Sequence, residues 1–214
     1  HMPASRLDDD VTRWALAAKG GDQRAAEAFI RATQRDVHRF VANLTTSADA
    51  EDLCQETYLR AMRALVRFDA RASARTWLLA IARRVAADHV RTAMRRPRTT
   101  SAGDWESVGR RDVPAGRLDE QVVLTALLAD LDPARREAFV ATQVLGLDYA
   151  EAAEVCGCPV GTIRSRVFRA RADLIAALHA DRDEPASPVS AASAASAVSQ
   201  AGRVRAAAGL RAGR

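Results

Sequence analysis

The amino-acid sequence predicts an all-α protein of two small helical domains joined by a flexible linker. Apolar residues recur three and four positions apart over long stretches, which is the period of an amphipathic helix. No stretch alternates between apolar and polar residues for long enough to indicate a strand. With 214 residues, 48% of them apolar, the chain is long enough to bury one or two modest cores.

The first domain is predicted over residues 8–96 and contains three amphipathic segments. The expected buried residues are Phe29, Ile30, Val37, Phe40, Val41 and Leu44 in the first segment, Leu53, Ala61, Leu65 and Phe68 in a helix over residues 49–67, and Trp77, Ile81, Val85 and His89 in a helix over residues 74–95. Single aromatic residues at helical spacing usually belong to a core, so we expect the same of Trp14.

Two segments outside the predicted domains have a composition that does not suit a packed core. Residues 97–118 contain two prolines, three glycines and several small polar residues, and they are predicted to form the linker. Residues 183–214 consist mainly of Ala, Ser, Gly and Arg. Because this tail lacks the large apolar residues whose burial offsets the loss of conformational entropy, we predict that it is disordered.

The second domain is predicted over residues 119–180, and its helix boundaries carry clear signals. An Asp followed by a Pro at positions 132–133 opens one helix, and Asp148 with Glu151 has the spacing of a capping box. Gly157 is placed to end that second helix, and a last helix follows that ends near residue 178. Two helices around a Gly-containing turn, the second rich in arginine, have the layout of a helix-turn-helix.

The net charge of +5 is unevenly distributed along the chain. Residues 60–98 carry eleven basic and two acidic residues, whereas residues 119–182 carry seven basic and ten acidic ones. A segment as basic as residues 60–98 would repel itself without a polyanion nearby, so neutralisation of nucleic-acid phosphates is its expected role.

Several classes of protein are disfavoured. No export signal opens the chain and no apolar run approaches the roughly 20 residues of a membrane span, so we expect a cytoplasmic protein without membrane contact. The odd count of three cysteines indicates reduced thiols, with redox or metal chemistry at Cys156 and Cys158 as the less favoured alternative. No Gly-rich phosphate loop and no paired nucleophile and base occur in a recognised motif, which argues against an enzyme, a cofactor or a metal.

Three ordered motifs resemble the extracytoplasmic-function sigma factors, small members of the sigma-70 family of bacterial RNA polymerase specificity subunits. Residues 49–61, DAEDLCQETYLRA, are similar to the polymerase-binding helix of that family. Residues 76–83, TWLLAIAR, with DHVR at 88–91, are similar to its promoter-melting and minus-ten helix, and residues 158–171, CPVGTIRSRVFRAR, to its minus-thirty-five recognition helix. Order and spacing agree over roughly residues 8–180, which is far more specific than a helix-turn-helix alone.

The resemblance implies a protein that is not an enzyme, binds core RNA polymerase and directs promoter-specific transcription initiation. The implied polymerase-binding residues are Asp49, Glu51, Asp52, Gln55, Glu56, Leu59 and Arg60. The implied minus-ten residues are Asp69, Arg71, Ser73, Arg75, Arg83, Arg84, Asp88 and Arg91, of which the first four belong to a loop that resembles the family's base-capturing specificity loop. The implied minus-thirty-five residues are Pro159, Val160, Gly161, Thr162, Arg164, Ser165, Arg166, Arg169 and Arg171.

Helical spacing adds detail to these assignments. Asp52, Gln55 and Glu56 stand at i, i+3 and i+4 and share one face of a helix, which is either a docking surface or an ordinary solvated face. Arg164 and Arg166 diverge by about 200° around the helix axis, so they cannot face the same base. Many relatives carry Asn where this chain has Arg84. We therefore expect Arg84 to belong to the melting surface, but we do not expect it to make the specific contacts that Asn makes in those relatives.

Other functions explain less of the chain. A helix-turn-helix repressor that acts on duplex DNA by itself accounts for residues 148–171 but leaves the acidic helix and the basic third helix unused. Family members are commonly inhibited by an anti-sigma protein, and we expect this one to have such a partner or to be controlled by closure of its domains. Because the second domain is net negative and the third helix is positive, that closure is expected to be salt-sensitive, and the free protein to be a monomer.

Overall fold

In the computed structural model, which describes residues 4–45, 48–95 and 127–183, every regular element is a helix. The first group consists of α1 (Ala4–Lys19), α2 (Gln23–Leu44), α3 (Ala50–Ala64) with a 3-10 turn over Leu65–Arg67, and α4 (Ala74–Arg95). The second group consists of a helical segment over 127–129, α5 (Pro133–Phe139) with a π-helical turn over Val140–Val144, α6 (Tyr149–Cys156) and α7 (Val160–Asp183). The predicted all-α class is confirmed.

Two of the sequence predictions fall on residues outside the described ranges. These are the linker over residues 97–118, with Trp105 in it, and the tail from residue 184 onward. The domain boundaries therefore stay predictions. Helix α7 ends at Asp183, later than the expected end near residue 178, because the Ala-rich sequence after Leu174 suits a helix. Among the described residues, those up to Leu174 belong to one compact unit.

The cores of α2 and α3 agree with the predicted apolar stripes. Phe29, Val37, Phe40 and Val41 of α2 are buried, while Ile30 and Leu44 at the margins are half-buried. Leu53 and Ala61 of α3 are buried, and so are Leu65 and Phe68 just after it. Helical periodicity alone is enough to locate these faces, because each helix buries one side only.

Helix α4 buries a wider face than predicted. Ile81 and Val85 are buried as expected, but Leu78, Leu79 and Ala82 are buried as well. The reason is that α4 packs against α6 of the second group as well as against α1, α2 and α3. Trp77 and His89 were expected to point inward. Trp77 is half-buried with its ring 5.0 Å from that of Phe68, and His89 lies at the margin, 3.2 Å from a carboxylate oxygen of Asp49.

The helix boundaries of the second group follow from capping residues. Asp132 accepts hydrogen bonds from the amides of Ala134 and Arg135 and so caps the start of α5. Asp148 accepts from the amide of Glu151 at 2.8 Å, and the Glu151 carboxylate accepts from the Asp148 amide at 3.0 Å, so both halves of the predicted capping box are present. Gly157 ends α6 with a φ of 63°, a left-handed conformation that a glycine adopts without strain.

Replacing Asp148 with Ala should lower the free energy of unfolding by about 1 kcal/mol, because two amides at the start of α6 lose their acceptor. Chemical denaturation measures the change. Glu154→Ala, at an exposed position of the same helix, is the matched control and should change stability by less than about 0.5 kcal/mol. Equal effects of the two substitutions would show that the capping box does not stabilise α6.

Candidate functional site

The predicted docking face of α3 is exposed, and α3 itself is fixed on α2. Glu51, Asp52 and Gln55 are exposed, and Leu59 shows 55% of its surface to solvent. Tyr58 stands two turns after Glu51 on the edge of this face towards α2, where its hydroxyl is hydrogen-bonded to that of Thr33 at 2.8 Å, and burial raises the pKa of Tyr58. Because this contact fixes α3 on α2, the acidic face is presented by a rigid element.

Four other residues predicted to bind partners form a network with each other. Arg60 donates to Glu56 one turn earlier at 2.7 Å and to Asp88 of α4 at 2.9 Å. Arg91 is also hydrogen-bonded to Asp88. Hydrogen bonds from Arg60 and Arg91 hold the pKa of Asp88 below its usual value. Asp88, which was predicted on the promoter surface, therefore links α3 to α4 and orients two arginines.

A cleft of about 570 Å³ extends the acidic face onto α2. Its α3 side includes Glu51 and Gln55. Its α2 side is formed by Ile30, Gln34, Arg35, His38 and Arg39. The sequence reasoning missed this α2 contribution, although the polar residues of α2 opposite its buried stripe were a signal that could have located it.

The loop between Phe68 and α4, residues 69–73, contains three of the four residues predicted for the specificity loop, whereas Arg75 lies in the first turn of α4 instead. Asp69 accepts from the Arg71 amide at 3.3 Å and pairs with the Arg71 guanidinium, whose side chain is 90% exposed. Ala70 between them has a φ of 58°, an uncommon left-handed conformation for a residue other than glycine. The hydroxyl of Ser73 accepts from the Thr76 amide at 3.1 Å, so Ser73 caps α4.

Two further predicted minus-ten residues contact the second helical group. Arg75 is only 15% exposed and donates to the Asp36 carboxylate at 2.8 Å and to the backbone carbonyl of Leu145 at 2.7 Å. Arg83 donates to Glu137 of α5 at 2.7 Å. In this arrangement α5 and α6 therefore cover part of the predicted promoter surface, while Arg84 and Arg91 stay exposed on α4.

Helix α7, the predicted recognition helix, has one buried and one exposed side. Ile163, Val167, Ala170 and Leu174 are buried. Pro159, Gly161, Arg164, Ser165, Arg169 and Arg171 are exposed, while Val160, Thr162 and Arg166 are half-buried. The exposed and half-buried residues include all those predicted to read the minus-thirty-five element, and the buried stripe holds them in one orientation.

Individual side chains on α7 differ in how freely they can reach a partner. The Arg164 guanidinium lies 5.9 Å from the centre of the Tyr149 ring, within the range of a cation–π contact. Arg171 donates to Gln143 at 2.8 Å and Arg166 to the sulfur of Cys158 at 3.5 Å. The sequence reasoning missed Phe168, which is 75% exposed beside Arg164 and Arg169, although its position outside the buried stripe was a usable signal.

The cysteine thiols and the residue types that ligate metals are the remaining candidates for a functional site. Burial raises the pKa of the Cys156 thiol to about 12, and burial also raises that of Cys54. Among residues 4–45, 48–95 and 127–183, no cluster of His, Cys, Asp and Glu side chains could hold a metal ion. No helix within those same ranges combines the length and apolarity that crossing a bilayer requires.

Family comparisons match both helical groups. The sigma-70 region 2 family matches residues 29–96, and the sigma-70 region 4 family matches residues 121–174. The probable RNA polymerase sigma-C factor of Mycobacterium bovis is 55% identical over 181 residues, which cover 84% of this chain and 98% of that protein. The ECF RNA polymerase sigma-E factor of Escherichia coli K12 is 32% identical over 162 residues, covering 71% of this chain and 85% of that protein.

Two solved structures have a similar fold. The structure of CnrH in complex with the cytosolic domain of CnrY superposes with a TM-score of 0.64 and 29% identity, covering 80% of this chain and 99% of CnrH. The sigma factor RpoE in complex with the anti-sigma factor NepR from Bartonella quintana gives a TM-score of 0.62 and 30% identity, covering 72% and 97% of the two chains.

Replacing Glu137 with Gln should loosen the packing of α5 on α4, because the ion pair with Arg83 is lost while the shape of the side chain is kept. Because both side chains are largely buried, loss of the pair should cost at least about 1 kcal/mol, which corresponds to a roughly fivefold shift towards the open form. Small-angle scattering at low salt should report a larger radius of gyration than for the wild type. The wild type should expand in the same way when salt is raised to about 1 M, where the screening length is about 3 Å.

The matched control for this change is Glu154→Gln, at an exposed position of α6, which should leave the radius of gyration unchanged. Equal dimensions of the wild type and of Glu137→Gln at low and high salt would rule out an electrostatic contribution to closure.

Proposed function

Because the chain belongs to the extracytoplasmic-function sigma factors of the sigma-70 family, we propose that it binds core RNA polymerase and directs it to promoters through a minus-ten and a minus-thirty-five element. Sigma factors are not enzymes, and the polymerase supplies the chemistry. We expect this chain to act in the cytoplasm, where its polymerase works. The observation that carries the proposal is the separation of one exposed acidic face on α3 from arginine-bearing surfaces on α4 and α7.

The acidic face is suited to a basic partner. Glu51, Asp52 and Gln55 project from a helix that is fixed on α2, so docking costs little ordering of the backbone. Leu59, exposed at 55%, adds an apolar contact to this polar surface, and the cleft beside it offers a recess for a partner side chain. In the proposed role this combined surface grips the polymerase, and Arg60 and Asp88 brace it against α4.

The promoter surfaces are suited to two different tasks. The loop at residues 69–73, with Asp69 and Arg71 exposed, lies directly before the basic helix α4. Such an arrangement suits an unstacked base held by edge contacts while arginines neutralise the strand. Arg164, Ser165 and Phe168 are exposed near the start of α7, the part of a recognition helix that enters the major groove. Phe168 is suited to an apolar contact with a thymine methyl group.

Control by closure is part of the proposal. In the closed arrangement Arg75 and Arg83 are engaged by Leu145 and Glu137, so the minus-ten surface must separate from α5 and α6 before it binds DNA. The two structural relatives are complexes of CnrH with CnrY and of RpoE with the anti-sigma factor NepR. By analogy, an anti-sigma protein is the second form of control that we propose for this chain.

A run-off transcription assay tests the proposed function as a whole. Core polymerase with this chain should start transcripts at a cognate promoter that core polymerase alone does not start. Purified core enzyme that fails to bind the chain would contradict the proposal.

Charge reversal at Asp52 tests the docking face. Asp52→Lys should weaken binding to core polymerase by at least about tenfold, or 1.4 kcal/mol, because a like charge is placed against a basic partner. Fluorescence anisotropy of the labelled chain measures the affinity. Glu154→Lys makes the same charge change at an exposed position of α6 and should leave the affinity within about twofold. A normal affinity for Asp52→Lys would exclude this face from the polymerase interface.

Two substitutions on α7 should distinguish a residue that reads a base from one that supports binding to every DNA sequence. Arg164→Ala should cost about 1–3 kcal/mol at the cognate minus-thirty-five element and relax selectivity at one base pair. Arg171→Ala, which loses a bond to Gln143, should weaken binding equally on all sequences. Competition between promoter variants in the presence of core polymerase measures both. Unchanged selectivity of Arg164→Ala would show that this residue does not read a base.

A further inference from the structure

Helix α1 lies ahead of the residues that match sigma-70 region 2, and the sequence reasoning gave it no role beyond the core. Two of its side chains nevertheless bond to the two ends of the loop at residues 69–73. The Lys19 ammonium group donates to the backbone carbonyl of Phe68, the residue before the loop, at 2.8 Å. The Thr12 hydroxyl accepts from the backbone amide of Ala74, the residue after the loop, at 3.0 Å.

Both bonds satisfy backbone groups that the surrounding helices leave without a helical partner. The Ala74 amide belongs to the first turn of α4, where no preceding helical carbonyl exists, and Ala74 is fully buried, so water is a poor substitute for Thr12. Ser73 caps the Thr76 amide of the same turn. Thr12 therefore completes a helix cap that Ser73 begins, although it comes from a segment 62 residues away.

The two bonds also set the distance across the loop. Thr12 and Lys19 are seven residues apart in one helix, which corresponds to about 10 Å along its axis. The six steps from Phe68 to Ala74 could reach about 20 Å if fully extended. Ends that are held closer together than the extended length leave the loop bent, and this bent segment contains Ala70 in its left-handed conformation and the exposed Arg71.

We propose that α1 positions the promoter loop, with Thr12 and Lys19 as a pair of anchors that fix its span and thereby its selectivity for the extruded base. The proposal rests on the proposed function, since it assumes that the loop at residues 69–73 contacts the promoter. Lys19 is the only lysine in the chain, and its slender stem ends in a compact ammonium group suited to a single carbonyl. Neither anchor needs to touch DNA.

Hydrogen–deuterium exchange of the free full-length protein tests the anchoring directly. Thr12→Val and Lys19→Met should each speed exchange of the amides in residues 69–74 by about 2- to 10-fold, the range expected when one hydrogen bond is lost. Thr12→Ser and Lys19→Arg keep an acceptor and a donor and should restore slow exchange. Arg13→Met removes an exposed basic residue from the same helix, whose side chain bonds to Asp10, and should have no effect.

A second measurement examines selectivity. In the presence of core polymerase, permanganate reactivity of promoter thymines should show that Thr12→Val and Lys19→Met open cognate and base-substituted minus-ten elements with a ratio closer to one than the wild type. Affinity for core polymerase and transcription from a pre-melted promoter should stay within about twofold of the wild type, because the docking face is untouched.

The two measurements separate the proposals. Unchanged exchange in both anchor variants would overturn the positioning role of α1, whatever the loop does. Faster exchange with unaltered selectivity would also overturn it and would show in addition that the loop does not read the promoter, while binding of core polymerase would still test the remainder of the proposed function. Loss of selectivity that Thr12→Ser and Lys19→Arg do not rescue would indicate a general disturbance of folding and would equally contradict the proposal.

Discussion

The buried face of α4 is the constraint on which the rest of the structure depends. Leu78 and Leu79 are fully buried in this helix, and each contributes about 1.5–3 kcal/mol through removal of apolar surface from water. Because α4 packs against α1, α2 and α3 and also against α6, this helix belongs to the core of both groups. The loop before α4, the arginines on its surface and the link from Asp88 to α3 are all held in place by that packing.

Arginines of α4 that would bind DNA phosphates in the proposed function are engaged by the second helical group in the closed arrangement. In the closed arrangement Arg83 is paired with a carboxylate and Arg75 also donates to a backbone carbonyl. Guanidinium groups bind carboxylates and phosphates with the same planar geometry, so in the proposed function DNA phosphates replace the contacts that α5 and the Leu145 carbonyl make in the closed arrangement. Closure and promoter binding are therefore alternatives in the proposed function, because they use the same groups.

Rigid support of exposed groups recurs at each proposed contact surface. The hydroxyl of Tyr58 fixes the helix that carries the acidic face, the Tyr149 ring lies beside Arg164, and α1 holds the ends of the promoter loop. In each case a supporting residue bonds or packs from a neighbouring element. Such support lowers the entropy lost on binding, since the partner meets a side chain or a backbone that is already ordered.

By itself the sequence determined the helical class, the buried stripes of α2 and α3, the capping box at Asp148 and the order of three family motifs. These are local properties, because helical period, cap geometry and motif spacing depend on residues within a few positions of each other. Only the tertiary structure decided that α6 packs on α4, that Arg75 is engaged, and that Thr12 and Lys19 hold a loop 49 to 62 residues away. Contacts across such separations follow from the shapes of completed helices, and no spacing in the sequence records them.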